Sequence, residues 1–336
     1  MSDSNRTWYF VERPEGEPTS DCFELRDRER PAPGDGDLLV RVRYLSVDPY
    51  MRGRMRDEAS YAEPWALGDV VAGYVVGEVV ESASPRFEAG DLVSGHGAWG
   101  EYAVVDAADA TAVDPAVADP PAYLGVLGMP GRTAYFGMLD VAEPRPGDTV
   151  VVSGAAGAVG STAGQIAALN GCRVVGVAGS TEKTDWLTDD LGFDAAIDYT
   201  ATDDYGAALD EVAPDGVDVY FDNVGGPITD AVFTRLAVDA RVAVCGQIAH
   251  YNDESVPTGP RKLPLLIPTR ARVQGFLVGD YASRAGAADA RLRRWVAGGE
   301  LAHRETVADG LERAPDAFLG LFDGANVGKQ VVRVAE

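Results

Sequence analysis

Residues 149–171 read TVVVSGAAGAVGSTAGQIAALNG: an apolar β-branched run, a turn with glycines three apart, and a helix of small residues closed by glycine. This segment constrains the fold more than any other. Without side chains at Gly154, Gly157 and Gly160, backbone N–H groups can approach a pyrophosphate, and the helix N-terminus adds a favourable dipole. The spacing alone is weak, since any tight strand–helix turn can show it; its context gives it meaning. CRVVGVAGS reads as a second strand, followed by a capped helix in TEKTDWLTDDLG. AAIDY, GVDVYFDNVGG, ARVAVCGQ and RVQGFLVGDY read as strands three to six, and ARLRRWVAGGEL as a later helix. Strands alternating with helices imply an α/β fold, a doubly wound parallel sheet of the Rossmann kind.

The rest of the chain has a different texture. DLLVRVRYLSVD, VVAGYVVGEVVES and GEYAVVDA are β-branched runs between Pro/Gly/Asp turns, and they predict a small antiparallel barrel or sandwich. The tail, ending KQVVRVAE, returns to strand-like text and is expected to rejoin it. At roughly 150 residues per domain, 336 residues suit two domains. The expected division is 1–120 plus about 305–336 for the β-rich domain and 121–304 for the dinucleotide domain, with no internal repeat.

The cofactor can be read from the second strand. An NAD site places Asp or Glu at that strand's end, about 20 residues past the glycines, to hold the ribose 2′-hydroxyl. Here the positions are Gly179 and Ser180, with Lys183 one turn on. The chain has only three lysines, Lys183, Lys262 and Lys329, so a lysine here points to a task beyond surface solvation. A cation there suits a 2′-phosphate. Tyr199, after the third strand, can flank the same phosphate or simply pack. The expected cofactor is NADP(H).

Charge sets the other bounds. There are 53 acidic residues, 34 Asp and 19 Glu, against 29 basic ones, for a net charge of −24. Nucleic-acid binding by counterion release needs a basic face, so it is excluded, and anionic membranes are disfavoured. An Asp-rich, Lys-poor surface resembles that of proteins from a high-salt cytoplasm, where screening removes self-repulsion. No run of about 18 apolar residues occurs, and the first 18 residues hold no apolar signal core. Three widely spaced cysteines offer neither a disulfide framework nor a CxxC pair, which fits a reduced cytoplasmic protein.

The blocks LSVDPYMRGRM, SGAAGAVGSTAGQIAALNGCRVVGVAGSTEK, LGFDAAIDY, VYFDNVGG and VAVCGQIAHYN resemble the medium-chain dehydrogenase/reductases. The resemblance covers nearly the whole chain. It is to the zinc-independent branch of leukotriene B4 12-hydroxydehydrogenase, prostaglandin reductases and NADP-dependent alkenal or enone reductases. VDPYMR and DNVGG are specific to that branch; the glycine motif is not. The resemblance implies a GroES-like domain, a Rossmann domain and a homodimer. It places Ala156, Gly157, Ala158 and Val159 around the pyrophosphate, and Lys183 and Tyr199 at the 2′-phosphate. It puts Asn223 beside the cofactor and Cys245, Gly246, Gln247, Ile248, Ala249, His250 and Tyr251 along the nicotinamide side. Phe276, Leu277 and Val278 would approach nicotinamide and substrate, and Asn326 would reach the cofactor from the tail.

The chemistry follows in part by elimination. The three His (His96, His250, His303) and three Cys (Cys22, Cys172, Cys245) are scattered singly, unlike the ligand sets of zinc alcohol dehydrogenases, so no metal is expected. Metal-free hydride transfer from NADPH suits an α,β-unsaturated carbonyl, whose enolate a hydroxyl donor can stabilise. Tyr251, Tyr61 and Tyr50 are the candidate hydroxyls; the alternative for each is packing with the hydroxyl at the surface. A quinone oxidoreductase of the same superfamily and a redox-silent NADPH-binding protein are the rival readings.

Overall fold

The computed structural model describes residues 4–58 and 60–335. Its chain divides into two compact units, the first comprising Met1–Leu124, Asn252–Glu254 and Glu305–Glu336, the second Gly125–Tyr251 and Ser255–Arg304.

The first unit opens with β1 (Ser4–Phe10), β2 (Phe23–Glu29) and β3 (Asp37–Ser46), then the short helix α1 (Met51–Arg54). It continues through β4 (Ala72–Ser82), β5 (Leu92–Ala98), β6 (Tyr102–Asp106) and β7 (Thr111–Ala112). The second unit holds α2 (Met129–Phe136), β8 (Thr149–Ser153), α3 (Ala158–Leu169), β9 (Arg173–Ala178) and α4 (Thr181–Asp185). Next come β10 (Ala195–Asp198), α5 (Tyr205–Val212), β11 (Val217–Asp222), α6 (Gly226–Phe233) and β12 (Leu236–Val244). It closes with α7 (Leu266–Thr269), β13 (Arg272–Gly275) and α8 (Ala285–Ala297). The tail returns to the first unit with β14 (Glu305–Asp309), α9 (Ala314–Leu319) and β15 (Lys329–Arg333).

The first unit's main sheet runs β14-β15-β3-β4-β5-β7, with β6 paired to β3. Apart from the parallel β14–β15 pair it is antiparallel, and β1 and β2 form a separate hairpin-like pair. Alternation in β3 and β4 sends Leu38, Val40, Val42, Val75 and Val79 into a core with Trp99, Phe10 and Phe318. The tail adds Val332 to that core.

The second unit's sheet runs β10-β9-β8-β11-β12-β13, every neighbouring pair parallel. Numbered within this unit, the order is 3-2-1-4-5-6, the Rossmann order. Val150, Val151 and Val152 of β8 and Val219, Tyr220 and Phe221 of β11 are fully buried, as central strands of a sheet covered on both faces require. The order reverses between β8 and β11, and ligands of such sheets bind outside the carboxyl ends at this switch point.

Two elements differ from the sequence reading. The sixth strand stops at Gly275, where Phe276 leaves the ladder to set its ring edge-on to Phe221, centroids 6.3 Å apart. A 3-10 helix over Val278–Arg284 follows. The segment GRTAYFGMLDVAE reads as one helix closed by the turn EPRPGD, but after Phe136 it loosens into a π turn over Gly137–Ala142. A side chain at Gly137 would collide with the Phe276 and Phe221 rings, so that turn is pinned by aromatic packing.

Candidate cofactor site

The loop after β8 forms the centre of the site. Gly154 takes a positive φ of 57°, and Gly157 caps α3 in an extended conformation. Gly160 faces back onto the loop: a Cβ there would stand 2.9 Å from the Ala155 Cα and closer still to the Gly154 carbonyl oxygen. The turn is therefore as tight as strand-to-helix packing allows, and the first N–H groups of α3, at Ala158 and Val159, lack partners within their own helix.

After β9 the chain turns at Gly179 into α4. The Ser180 hydroxyl caps this helix by accepting from the Lys183 N–H at 3.3 Å. Tyr199, which follows β10, lays its ring over Gly179, where a Cβ would meet the ring's Cε1 at 2.8 Å and the hydroxyl sooner. The glycine at 179 thus seats the Tyr199 ring. Lys183 is partly buried, and desolvation pulls its ammonium below the usual lysine range, with Glu182 opposing. Glu182 is itself turned to Arg304 at 2.8 Å. Ser180, Lys183 and Tyr199 thus share one corner at the carboxyl ends of β9 and β10.

Across the switch point, after β11, the Asn223 side chain donates to the Ser153 carbonyl at 2.7 Å, and its N–H donates to the Ser153 hydroxyl at 3.0 Å. The loops after β8 and β11 are thereby joined. The segment after β12 continues alongside: Cys245 N–H reaches the Asp222 carbonyl at 2.8 Å, and Ala249 N–H the Val224 carbonyl at 3.0 Å. Ile248–His250 forms a 3-10 turn that brings the Tyr251 hydroxyl back to the Gln247 N–H at 3.5 Å. Burial, aided by the Asp222 charge, pushes the Cys245 thiol up to about 12, so it stays protonated near neutrality and is no nucleophile.

The second unit therefore gathers Gly154, Ala156, Gly157, Ala158, Val159, Gly160, Lys183, Tyr199, Asn223 and the run Cys245–Tyr251 along one sheet edge. Phe276 packs against Gly137 and Phe221, while Leu277 is 42% exposed. Tyr50, Tyr61 and Asn326 belong to the first unit. Tyr50 immediately precedes α1, and burial together with Asp48 raises its hydroxyl pKa. Asp48 is buried against Lys329, whose Nζ stands 3.2 Å from Oδ1 and donates to the Val47 carbonyl at 2.7 Å. Tyr61 is 62% exposed. The Asn326 amide donates to the Gly328 carbonyl at 2.7 Å, within its own turn.

Sequence reasoning did not single out Asp222 or Ser153. The Ser153 hydroxyl donates to the Asp222 carboxylate at 3.0 Å while accepting from Asn223. The available signal was a polar pair at the ends of two otherwise apolar central strands, VVVS and VYFD.

The glycine loop and the Gly179 corner fit an NADP(H) molecule. The α3 N-terminus would take the pyrophosphate, and Ser180, Lys183 and Tyr199 the 2′-phosphate. Asn223 and Cys245–Tyr251 would border the other half. Among the described residues no group of three or more His, Cys, Asp or Glu is placed to hold a metal ion, and no helix is long and apolar enough to cross a membrane.

Comparison with known proteins follows the same division. A family model described as the N-terminal domain of oxidoreductase matches residues 6–113, and one described as zinc-binding dehydrogenase matches residues 158–292. The NADPH-dependent curcumin reductase of Escherichia coli (strain K12) is 45% identical over 336 residues, 98% of this chain and 97% of that one. The NADP(+)-dependent 2-alkenal reductase of Nicotiana tabacum is 46% identical over 305 residues, covering 90% of this chain and 88% of that one. A crystal structure of CurA in complex with NADPH from Vibrio vulnificus superposes with a TM-score of 0.92 at 43% identity, covering 98% of this chain and 99% of that one.

Proposed function

The chain belongs to the zinc-independent medium-chain dehydrogenase/reductases, and on that premise we propose that it is an NADPH-dependent reductase of the C=C bond in α,β-unsaturated aldehydes and ketones. The observation that carries this reading is the Ser180–Lys183–Tyr199 corner beside the glycine loop of a Rossmann sheet, in a chain that matches curcumin and 2-alkenal reductases nearly end to end. A 2-alkenal is a conjugated C=C–C=O group. When bound, NADPH supplies a hydride to the β-carbon; the π pair moves to the carbonyl oxygen as an enolate, water protonates the α-carbon, and NADP+ remains.

The chain's own residues bind and orient. The N–H groups at the start of α3 hold the pyrophosphate, and Lys183 takes the 2′-phosphate. Tyr251 is the first hydroxyl in line for the nicotinamide ribose and carbonyl, with Tyr61 and Tyr50 as substrate-pocket donors. NADPH oxidation with an alkenal, an enone, a quinone and no acceptor tests the reading. Turnover confined to the quinone supports the quinone oxidoreductase instead; binding without any turnover supports a redox-silent protein. Tyr251→Phe is expected to lower kcat/KM on an enone, and an unchanged value removes Tyr251 from the mechanism.

We further infer where the chain works and how it assembles. The chain works in a high-salt cytoplasm: it carries −24 charges, and Lys329, one of its three lysines, has a side chain only 4% exposed. Thermal unfolding in dilute and molar KCl tests this, and equal stability in both rejects it. The chain is also a homodimer. Edge strand β13 exposes all four of its residues, with Val273 at 39%, an edge suited to pairing with a second copy. A monomeric mass by light scattering in molar KCl rejects the dimer.

A further inference from the structure

Asp222 ends β11 at 1% exposure, and six neutral donors converge on its carboxylate. Oδ1 accepts from the Ser153 hydroxyl at 3.0 Å, the Tyr220 hydroxyl at 3.0 Å, the Val224 N–H at 3.0 Å and the Gly225 N–H at 2.9 Å. Oδ2 accepts from the Thr229 hydroxyl at 3.0 Å and the Gln247 side-chain amide at 2.8 Å, and the Thr229 and Tyr220 hydroxyls, 2.9 Å apart, share their two protons among themselves and the carboxylate. These donors come from the ends of β8 and β11, from α6 and from the segment after β12. In the 3-2-1-4-5-6 order, the adenosine half of a dinucleotide lies over β9 and β10, so β11 and β12 border the nicotinamide half.

We propose that Asp222 is the positioning residue of the nicotinamide half of the site, and that its charge, beyond its shape, fixes Gln247 and through it the Cys245–Tyr251 turn. The proposal rests on the NADP(H) reading above. An anionic carboxylate is acceptor-only, which matches six donors. An amide of the same size does not. The Val224 and Gly225 N–H groups cannot reverse, so the oxygen of an Asn side chain must stay with them. Its NH2 then faces Thr229 and Gln247. The Thr229 hydroxyl can rotate to accept. Gln247 can accept only by inverting its amide, which breaks its 2.9 Å bond to the Gly246 carbonyl. The Gln247 side chain also lies over Gly225, where a positive φ of 76° and the absence of a side chain let it approach. The damage from Asp222→Asn therefore falls on one end of the turn that carries Tyr251. The six donors to Asp222 include none from Gly179, Lys183 or Tyr199, so that corner is expected to stay intact.

The test is binding, measured by titration calorimetry with NADPH and with 2′,5′-ADP, which occupies only the adenosine half. Asp222→Asn is expected to weaken NADPH about ten-fold, the scale of one lost hydrogen-bond arrangement, and to leave 2′,5′-ADP within about two-fold. Gln247→Ala should show the same selective loss, and adding Asp222→Asn to it should change little, since the two act in series. Equal loss of both probes in Asp222→Asn would mean a role in the fold at large and overturns the proposal. Unchanged NADPH binding in Asp222→Asn also overturns it. If that variant does not fold, Gln247→Ala decides: intact NADPH affinity there rejects the proposal. A wild-type protein that binds neither probe overturns the cofactor reading first and the proposal with it.

Discussion

On one side of the β8–β11 boundary, the sheet edge offers a cation that is half open to solvent; on the other, it buries an anion. Lys183 after β9 is partly desolvated and flanked by Ser180, Tyr199 and Glu182. Asp222 after β11 is enclosed and held by dipoles alone: three hydroxyls, two backbone N–H groups and one amide. A single ammonium reads charge and is open to screening, and burial pulls its pKa below the usual lysine range. A carboxylate with six donors reads no ligand charge but sets geometry, and burial shields it from salt. On the proposed reading, the same sheet separates the choice of cofactor from the placement of its reacting end.

Removing the cation is the largest test of that separation. Lys183→Ala is expected to cut the preference for NADPH over NADH roughly 10–100-fold, the equivalent of about 1.5–3 kcal/mol for a charge-assisted contact. Asp222→Asn should leave that ratio alone. If Lys183→Ala weakens NADPH and NADH equally, the corner does not read the phosphate and the comparison breaks.

Gly179→Ala probes the corner through shape. Its added methyl meets the Tyr199 ring at 2.5 Å, so the ring must shift. Overpacking of this kind costs about 1–3 kcal/mol, and 2′,5′-ADP binding should weaken by about ten-fold. Addition of Tyr199→Leu, which removes the phenol, should recover the space but not the affinity. Full binding in Gly179→Ala would place Tyr199 outside the site.

These positions were not equally legible in the sequence. The glycine loop could be read because its requirement is on the backbone, and backbone requirements show as glycine. Lys183 stands out as a candidate because lysine is scarce in this chain. Tyr199 was read as a neighbour of the phosphate, but its seat on Gly179 was not, since that contact joins residues 20 apart across two strands. Asp222 was passed over because its donors lie between positions 153 and 247, and only the folded sheet brings them together. The sixth strand was overdrawn for the same reason: GFLVG looks extended locally, yet Phe276 is claimed by Gly137 and Phe221 from distant segments. Lys329 could not be told from a surface lysine until its pairing with Asp48 was seen.

Titration sharpens the comparison with a smaller effect. Burial lowers the Lys183 pKa in the free protein. A bound phosphate favours the ammonium and raises it again, so binding takes up a proton in the window between the two values. NADPH affinity should therefore be full below the lowered pKa and decline as pH rises through it. Lys183→Arg, which stays charged, should flatten this decline. NADH, without the phosphate, should show none of it. A decline of equal slope for both cofactors would move the titrating group away from the corner.

Salt gives the smallest effect and the cleanest division between the two sides. Raising KCl from about 0.1 to about 1 M shortens the screening length from about 10 to about 3 Å. The Lys183 ammonium is partly exposed, so its pull on a phosphate should fall, and the NADPH-over-NADH ratio should shrink a few-fold. The Asp222 carboxylate and its donors are within direct hydrogen-bond distance and closed to ions. The deficit of Asp222→Asn, measured as the ratio of wild-type to variant affinity for NADPH, should then stay constant across the same salt range. A deficit that shrinks with salt would mean that Asp222 acts through a long-range field rather than through Gln247. A cofactor ratio that ignores salt would mean that the ammonium is sealed as completely as the carboxylate.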